Sequence, residues 1–485
     1  MAETSTVHST DVIDPAAFPS PPTLGTHRLP GLLRAMRTDI VPELHGQFRR
    51  FGPTVRAYMP GVMDVVFVSR AADAERVFVT RQDIYTKGDE YDIPALGLRS
   101  GLVTSRGERW QRDRKLINPM FAKRRLNPFA ITMTDRTVAM GDRWDGLADG
   151  STVSISQEMM RVTLEIAAET MFGTDLTESE IDLTGAAITE VLEDMLIVGA
   201  SPSVWLKQAL PNLSVGQAAQ SHRRNKRIQR RLGQLDAIIQ RRIDVRNESG
   251  NIGDDFLGML LGTQRDSDTM THSELMAQAV TFLGAGHETT GSGLSWFWHL
   301  MAQNPEARQR MLDEIDDVLG GRRPTAADFD RLPWTKACFS EALRIHPPVY
   351  LAMRRVGEDD VLGGYRVRAG SIVVVLTHEV HRDPAIWPDP LRFDPTRFLA
   401  GVGKERPRGA YIPFGGGRRI CIGSQFAMME GTLIAAATSQ RYVFDAKPGW
   451  KVVEEGVTTL RPKGGLPMIL RRRKDAPPLV EDVTP

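Results

Sequence analysis

The chain has 485 residues, of which 61 are basic and 60 acidic, for a net charge of +1. That balance gives no global field for nucleic acid. Two cysteines in such a length exclude a disulfide framework and fit a reducing cytoplasm, while the length allows a large core around a cofactor.

The first thirty residues are rich in Ser, Thr, Pro and acidic side chains. Residues 1–25 are expected to form a disordered tail, as is the basic, then Pro-rich stretch 471–485. The N-terminal stretch holds no apolar run of the length that a signal peptide or membrane anchor requires, so no transmembrane anchor is expected. Leu32–Phe51 reads as one amphipathic helix stopped by Gly52-Pro53. Thr54–Tyr58 and Asp64–Val68 read as a hairpin about Pro60-Gly61, and Ala71–Thr80 as a short helix. From Ile84 to Gly101 the chain is expected to be irregular, with Gly88, Pro94, Gly97 and Gly101 breaking any period. A helix enters at Gly107 and ends near Asn118-Pro119. Residues 126–246 are mostly helical. Within them Met195–Leu213 is apolar and broken by Gly199, Pro202 and Pro211, while Ser221–Arg246 is a basic helix whose arginines are expected to face solvent. Thr271–Gln303 is a long helix, apolar on all sides in its middle and therefore buried. Trp334–Ile345 is another helix, and Val361–Val375 supplies short strands. The fold class expected is mainly α with a small β-rich lobe.

Four clusters bear on chemistry. Phe414–Gly423 reads F-G-G-G-R-R-I-C-I-G and runs into an apolar helical pattern from Ile422. A free cysteine is ordinarily a small buried hydrophobe, as Cys338 beside Phe339 is read to be. Cys421 differs: the glycines let the backbone approach something flat, Arg419 supplies a fixed positive charge, and a helix N-terminus favours a thiolate. A lone thiolate with no second cysteine or adjacent His suits an axial ligand to haem iron and not zinc, which takes about four ligands. In the long helix, Ala285-Gly286-His287-Glu288-Thr289-Thr290 sets a glycine and a carboxylate where both are expensive. Either Glu288 has a salt-bridge partner and Thr289 merely bonds back to Ala285, or Gly286 and Thr289 open a groove in which Glu288 and Thr289 relay protons. Trp110 and Arg114 share one helix face, and taken alone they read as solvated surface. Glu341 and Arg344 are an E-x-x-R pair of a kind common in helix salt bridges.

Together, Phe414-Gly415-x-Gly417-x-Arg419-x-Cys421-x-Gly423, the A-G-x-E-T-T run, E-x-x-R and Phe393–Phe398 resemble the signature of the cytochrome P-450 superfamily over roughly residues 30 to 470, in its soluble bacterial-type members. The resemblance implies a single haem domain, 26–470, with the cytochrome P-450 fold. It implies haem b (iron protoporphyrin IX) with Cys421 as axial ligand. Trp110, Arg114, Arg354 and Arg419 then serve the propionates, with Arg355 as the alternative to Arg354, and Ala285, Phe414 and Gly423 lie against the cofactor. Glu288 and Thr289 are implied as the catalytic pair, and Glu341, Arg344 and Arg397 as a structural triad. Thr396 departs from the Glu often found there. The activity implied is oxidation of an apolar small molecule with O2. Electrons are expected from a ferredoxin or flavodoxin with its reductase, docking on Lys404, Arg406, Arg408, Arg418 and Lys123–Arg125. A peroxygenase or isomerase, or a non-catalytic haem-binding sensor, remain the alternative readings.

Overall fold

The computed structural model describes residues 14–173, 177–201, 204, 222–267 and 270–480. In chain order the named elements begin with β1 (Thr23–Leu24), α1 (Leu29–Thr38), α2 (Val41–Phe51), β2 (Thr54–Met59), β3 (Met63–Val68), α3 (Ala71–Glu75), β4 (Tyr85–Thr86), α4 (Asp92–Leu98) and α5 (Gly107–Ile117). There follow α6 (Lys123–Leu126), α7 (Phe129–Asp145), β5 (Thr152–Ser154), α8 (Ile155–Phe172), α9 (Glu178–Gly199), α10 (Asn225–Ser249), α11 (Phe256–Ser267), α12 (His272–Gln303), α13 (Pro305–Leu319) and α14 (Pro333–Ile345). The last are β6 (Ala352–Val356), β7 (Asp360–Leu362), β8 (Tyr365–Val367), β9 (Ile372–Val375), α15 (Thr377–Val380), α16 (Ser424–Ser439), β10 (Tyr442–Ala446), β11 (Glu454–Gly456), β12 (Leu460–Pro462) and β13 (Pro467–Arg472).

Helices dominate, and the largest sheet has the order β1-β2-β3-β9-β6-β4. Its hairpin turns where Gly61 takes φ +70° and Val62 N–H reaches the Met59 carbonyl at 3.0 Å. Strand β9 joins β3 in parallel, Val65 opposite Ile372. The main core is built on α12, which packs on α8, α14 and α16 and whose Leu294 and Phe297 are fully buried. A capping box starts α12: Glu274 N–H donates to Thr271 Oγ1 (3.2 Å) and Thr271 N–H to Glu274 Oε2 (2.9 Å). Among the described residues no helix is long and apolar enough to cross a membrane.

Several expectations are corrected. The helix read over Leu32–Phe51 is two, because Asp39 is extended and Pro42 starts the second in its first turn. The stretch 84–101 is not irregular: it holds β4, a 3-10 turn and α4, whose Pro94 lies in the first turn, where its missing N–H costs nothing. Residues 14–25 of the supposed tail include β1, paired with Arg56 and Ala57 of β2. At the other end, Arg471 and Arg472 belong to β13, Arg473 donates twice to Asp316 (2.9 and 2.7 Å), and Val480 N–H meets the Gly321 carbonyl (3.0 Å). The basic helix does not simply face solvent. Arg224 and Arg227 grip buried Asp194 of α9, Arg231 grips Glu190, and Arg246 grips Asp255. Most of the apolar segment Met195–Leu213 lies outside the described residues.

Candidate functional site

The loop before α16 folds on its glycines. Gly415 and Gly417 take φ +71° and +62°, and a Cβ on Gly417 would stand 1.8 Å from the Phe78 carbonyl oxygen, so no side chain fits. Cys421 N–H closes the loop onto the Phe414 carbonyl (2.9 Å), and Arg418 N–H donates to Gln82 Oε1 (2.7 Å). Cys421 itself precedes the helix: the N-cap is Gly423 and α16 begins at Ser424. The residue is exposed. Burial pushes the thiol up, against the opposing pull of the Gly423 N–H and the Arg114 charge. The helix terminus therefore does not make a thiolate unaided; a coordinated metal, which deprotonates a thiol outright, would do so.

Behind the loop lies a buried brace. Arg344 donates from Nε and Nη2 to the two Glu341 oxygens (2.7 and 2.8 Å), and Arg397 Nε stands 3.4 Å from Glu341 Oε1. Asp394 N–H adds a bond to the same oxygen (3.0 Å), while burial pushes the Glu341 carboxyl up. Arg344 Nη1 donates to the His381 carbonyl (2.8 Å), and Ile412 N–H donates to His381 Nε2 (2.8 Å). That bond makes Nε2 the acceptor, so Nδ1 carries the proton and donates to the Arg344 carbonyl (3.2 Å). His381 thus carries the brace to Ile412, two residues before Phe414.

Beside the loop a cavity of about 170 Å³ is walled by Lys87, Trp110, Arg354, Arg418 and Arg419. Arg419 lies over the Trp110 ring at 3.7 Å and donates to the Ser105 carbonyl (2.9 Å). Its guanidinium is held down to about 9, first by burial and then by Arg354, with Arg114 also opposing it. Burial and the charges of Arg354 and Arg419 hold Lys87 well below the usual ammonium range. Arg354 lies over Phe78 and donates to the Met353 carbonyl (2.7 Å), whereas neighbouring Arg355 is taken by Asp89 and Glu90. Of the two arginines, Arg354 is the one in the cavity wall. The one acid in that wall, Asp83, is exposed. Arg114 donates to the Ile420 carbonyl (3.0 Å) and feels the Cys421 sulfur. Like charges crowded in this way need an anion, and a cofactor with two carboxylates and a thiolate-seeking metal fits the donors present.

In α12, Thr289 donates to the Ala285 carbonyl (2.8 Å), and a Cβ on Gly286 would meet only Ala167, at 3.8 Å. Glu288 is half-buried and accepts from Thr459 (3.0 Å); burial pushes its carboxyl up, while Thr459 and the Arg461 charge pull it down. His287 is buried, its imidazole held down to about 4 by desolvation, and faces the Leu283 carbonyl. Sequence reasoning missed Lys87, Thr459 and His381, which nothing local distinguishes. It also placed Arg406 and Lys123 on an open basic surface. Arg406 instead lies over Trp387 at 4.4 Å and donates to the Arg397 carbonyl; Lys123 is on the surface and pairs there with exposed Asp330 (2.7 Å). Arg124, Arg125, Lys404, Arg408 and Arg418 are exposed.

The family model described as cytochrome P-450 matches residues 19–466. A Mycobacterium tuberculosis protein provisionally named cytochrome P-450 132 is 40% identical, covering 80% of this chain and 84% of that relative. Two Streptomyces melanosporofaciens enzymes are also similar. Cyclooctatin synthase is 36% identical over 74% of this chain and 75% of its own length. Cyclooctat-9-en-7-ol 5-monooxygenase is 32% identical over 87% of each. The chain belongs to the cytochrome P-450 family and is a haem-iron monooxygenase.

Proposed function

We propose that this monooxygenase binds haem b without covalent attachment, with Cys421 as the axial ligand, and oxidises an apolar small molecule. The observation that carries the cofactor assignment is the run of like charges from Lys87 through Arg354 and Arg419 to Arg114, next to an open thiol. Trp110, Arg114, Arg354, Arg419 and Lys87 serve the propionates, and Ala285, Phe414 and Gly423 lie against the macrocycle. No C-x-x-C-H is present to attach it. A thiolate-bound haem iron supplies dioxygen activation and O–O cleavage.

The protein's own residues then hold and move protons. Glu288 stores one at a carboxyl raised by burial, and Thr289 Oγ1, one residue on, passes it toward the groove at Gly286. Glu341, Arg344 and Arg397 keep the Cys421 loop in place. Electrons come from a ferredoxin or flavodoxin with its reductase. Exposed Arg124, Arg125, Lys404, Arg408 and Arg418 support an acidic partner, and the two unpaired thiols support a reducing cytoplasm. The relatives' names support an unsaturated cyclic alcohol or a similar apolar molecule as substrate.

The test is a CO-difference spectrum of the reduced, haem-loaded protein, then product formation with a ferredoxin and its reductase at several ionic strengths. A thiolate-type band and salt-sensitive, donor-dependent oxygenation are expected. Product from peroxide alone would favour a peroxygenase, and no product from any donor a haem-binding role.

A further inference from the structure

A second cleft, of about 290 Å³, opens where the start of β13 passes the last turn of α12. Thr289 lies ten residues back along that helix from His299 in the cleft wall, about 15 Å at the helical rise. The floor is apolar: Leu466 and Met468 are buried, and Met468 is held in the sheet opposite Ala446. On one side α12 presents His299 and Gln303, four apart and so on one face. On the other runs the segment 447–452. Lys447-Pro448-Gly449-Trp450 is a turn closed by Trp450 N–H on the Lys447 carbonyl (3.2 Å). Proline pre-sets its second position, and Gly449 takes the φ of +74° that the third requires. The turn sets Lys447 and Trp450 together at the rim, with Lys451 next.

Trp450 is 42% exposed, the one such tryptophan among the described residues; Trp110, Trp144, Trp296, Trp298, Trp334 and Trp387 are all buried. Gly464 lies beside its ring, where a Cβ would stand 3.8 Å from Cζ2. Covering the rest of that ring removes apolar area from water, which favours a flat occupant. The charges of the lining have one sign. Lys447 and Lys451 are exposed, and among the described residues neither belongs to an ion pair and no acid lines the cleft. Asp445, before Lys447 in the chain, is taken by Arg308 (3.3 Å) and Arg471 (3.1 Å). The end of α12 carries roughly half a negative charge, which two full ammonium charges outweigh. His299 is half-buried, and burial alone pushes its imidazole down with no hydrogen bond or charge opposing it. It is therefore a neutral ring with one donor and one acceptor, and Gln303 adds an amide with both.

We propose that this cleft is a binding site, separate from the haem pocket, for a small aromatic acid that carries a second polar group. The ring lies against Trp450 with Leu466 and Met468 beneath it. The carboxylate meets Lys447 and Lys451, and a hydroxyl on the far edge of the ring is held by His299 and Gln303. An uncharged molecule leaves both ammonium groups unused, and a cation is repelled by them. The volume is at the small end of ligand sites, which suits one ring or two fused rings.

The haem-loaded full chain, labelled with 5-fluorotryptophan, is titrated with 6-hydroxy-2-naphthoate and with uncharged 2,6-dihydroxynaphthalene. The fluorine line that vanishes in W450F reports the cleft, and the Soret band reports the haem pocket. The acid is expected to shift the Trp450 line and leave the Soret band unchanged. Calorimetry is expected to show about tenfold weaker binding of the acid to the K447Q/K451Q double variant, the worth of a charge-assisted hydrogen bond, and of the uncharged compound to the parent. Q303L is expected to weaken 6-hydroxy-2-naphthoate and to leave 2-naphthoate as it was. These four side chains are exposed, so the variants are expected to melt with the parent. Equal binding of acid and uncharged compound, or a double variant that binds as the parent does, would overturn the assignment to an acid. A Soret shift with a silent Trp450 line, or no shift and no heat with any compound, would overturn the site itself. Equal effects of Q303L on both naphthoates would remove the hydroxyl contact.

Discussion

Arg344 and Glu341 face each other across two parallel hydrogen bonds of 2.7 and 2.8 Å, and neither side chain touches solvent. Removing one partner leaves an unpaired buried charge, which costs about 3–5 kcal/mol. Glu341→Ala is expected to lower the thermal midpoint strongly and to abolish the thiolate-type CO band, because the brace runs through His381 to the loop. Retention of the band with normal intensity would show that the loop stands without it.

His381 gives the protein a predictable acid limb. Burial and the Arg344 charge hold its imidazole down to about 3, against about 6.5 in an unfolded chain. A group depressed on folding contributes its full stability above the unfolded value and loses it as pH falls toward the folded one. Stability should therefore drop from about pH 6.5 to about pH 3, by up to about 1.4 kcal/mol per unit from this one group. His381→Gln keeps an acceptor for Ile412 N–H and cannot titrate. Its denaturation curves are expected to show a shallower acid limb, and an unchanged slope would assign that limb to other groups.

Lys87 is set against Arg354 and Arg419 with its ammonium disfavoured. Lys87→Met should make the haem-free protein no less stable at neutral pH, because a repelled charge is gone. It should also weaken haem binding about tenfold, the worth of a charge-assisted hydrogen bond. Haem transfer to apomyoglobin measures the second effect and thermal melting the first. Equal loss in both would mean that Lys87 merely packs.

Glu430 in α16 is fully buried, and among the described residues neither carboxyl oxygen has a hydrogen-bond partner; burial pushes it up to about 8 despite the nearby Thr290 hydroxyl. A carboxyl raised on folding contributes fully below about pH 4.3 and loses that contribution as pH rises through about 8. Glu430→Gln stays neutral throughout. Its melting midpoint is expected to gain on the parent's steadily from pH 5 to pH 8, and a constant difference would refute the raised carboxyl.

What the sequence made legible was local. Glu341 and Arg344 lie within one helical turn, Thr289 and Ala285 within another, and the Cys421 loop is one unbroken run. Periodicity likewise found the long buried helix. The misses join distant points. Lys87 meets Arg419 across more than three hundred residues, and Thr459 reaches Glu288 across 171; neither pairing leaves a spacing to read. Arg224 and Arg227 looked solvated because charge alone does not name a partner, and Asp194 sits on another helix. The 84–101 stretch misled because its proline and glycines signal a loop and equally suit the ends of short helices.

The hairpin that carries Thr459 also sets a rule on where its length can change. Gly456 faces Leu460 across the ladder, and three tip residues join them. Thr459 is the last of the three, one residue before Leu460, whose N–H and carbonyl are both bonded to the body of the protein. Residues added between Gly456 and Thr458 leave the hydroxyl one step from that anchor, whereas a residue added between Thr459 and Leu460 carries it off Glu288. Grafting this hairpin between related chains is thus governed by which side of Thr459 the length changes, before any question of which amino acids the tip bears.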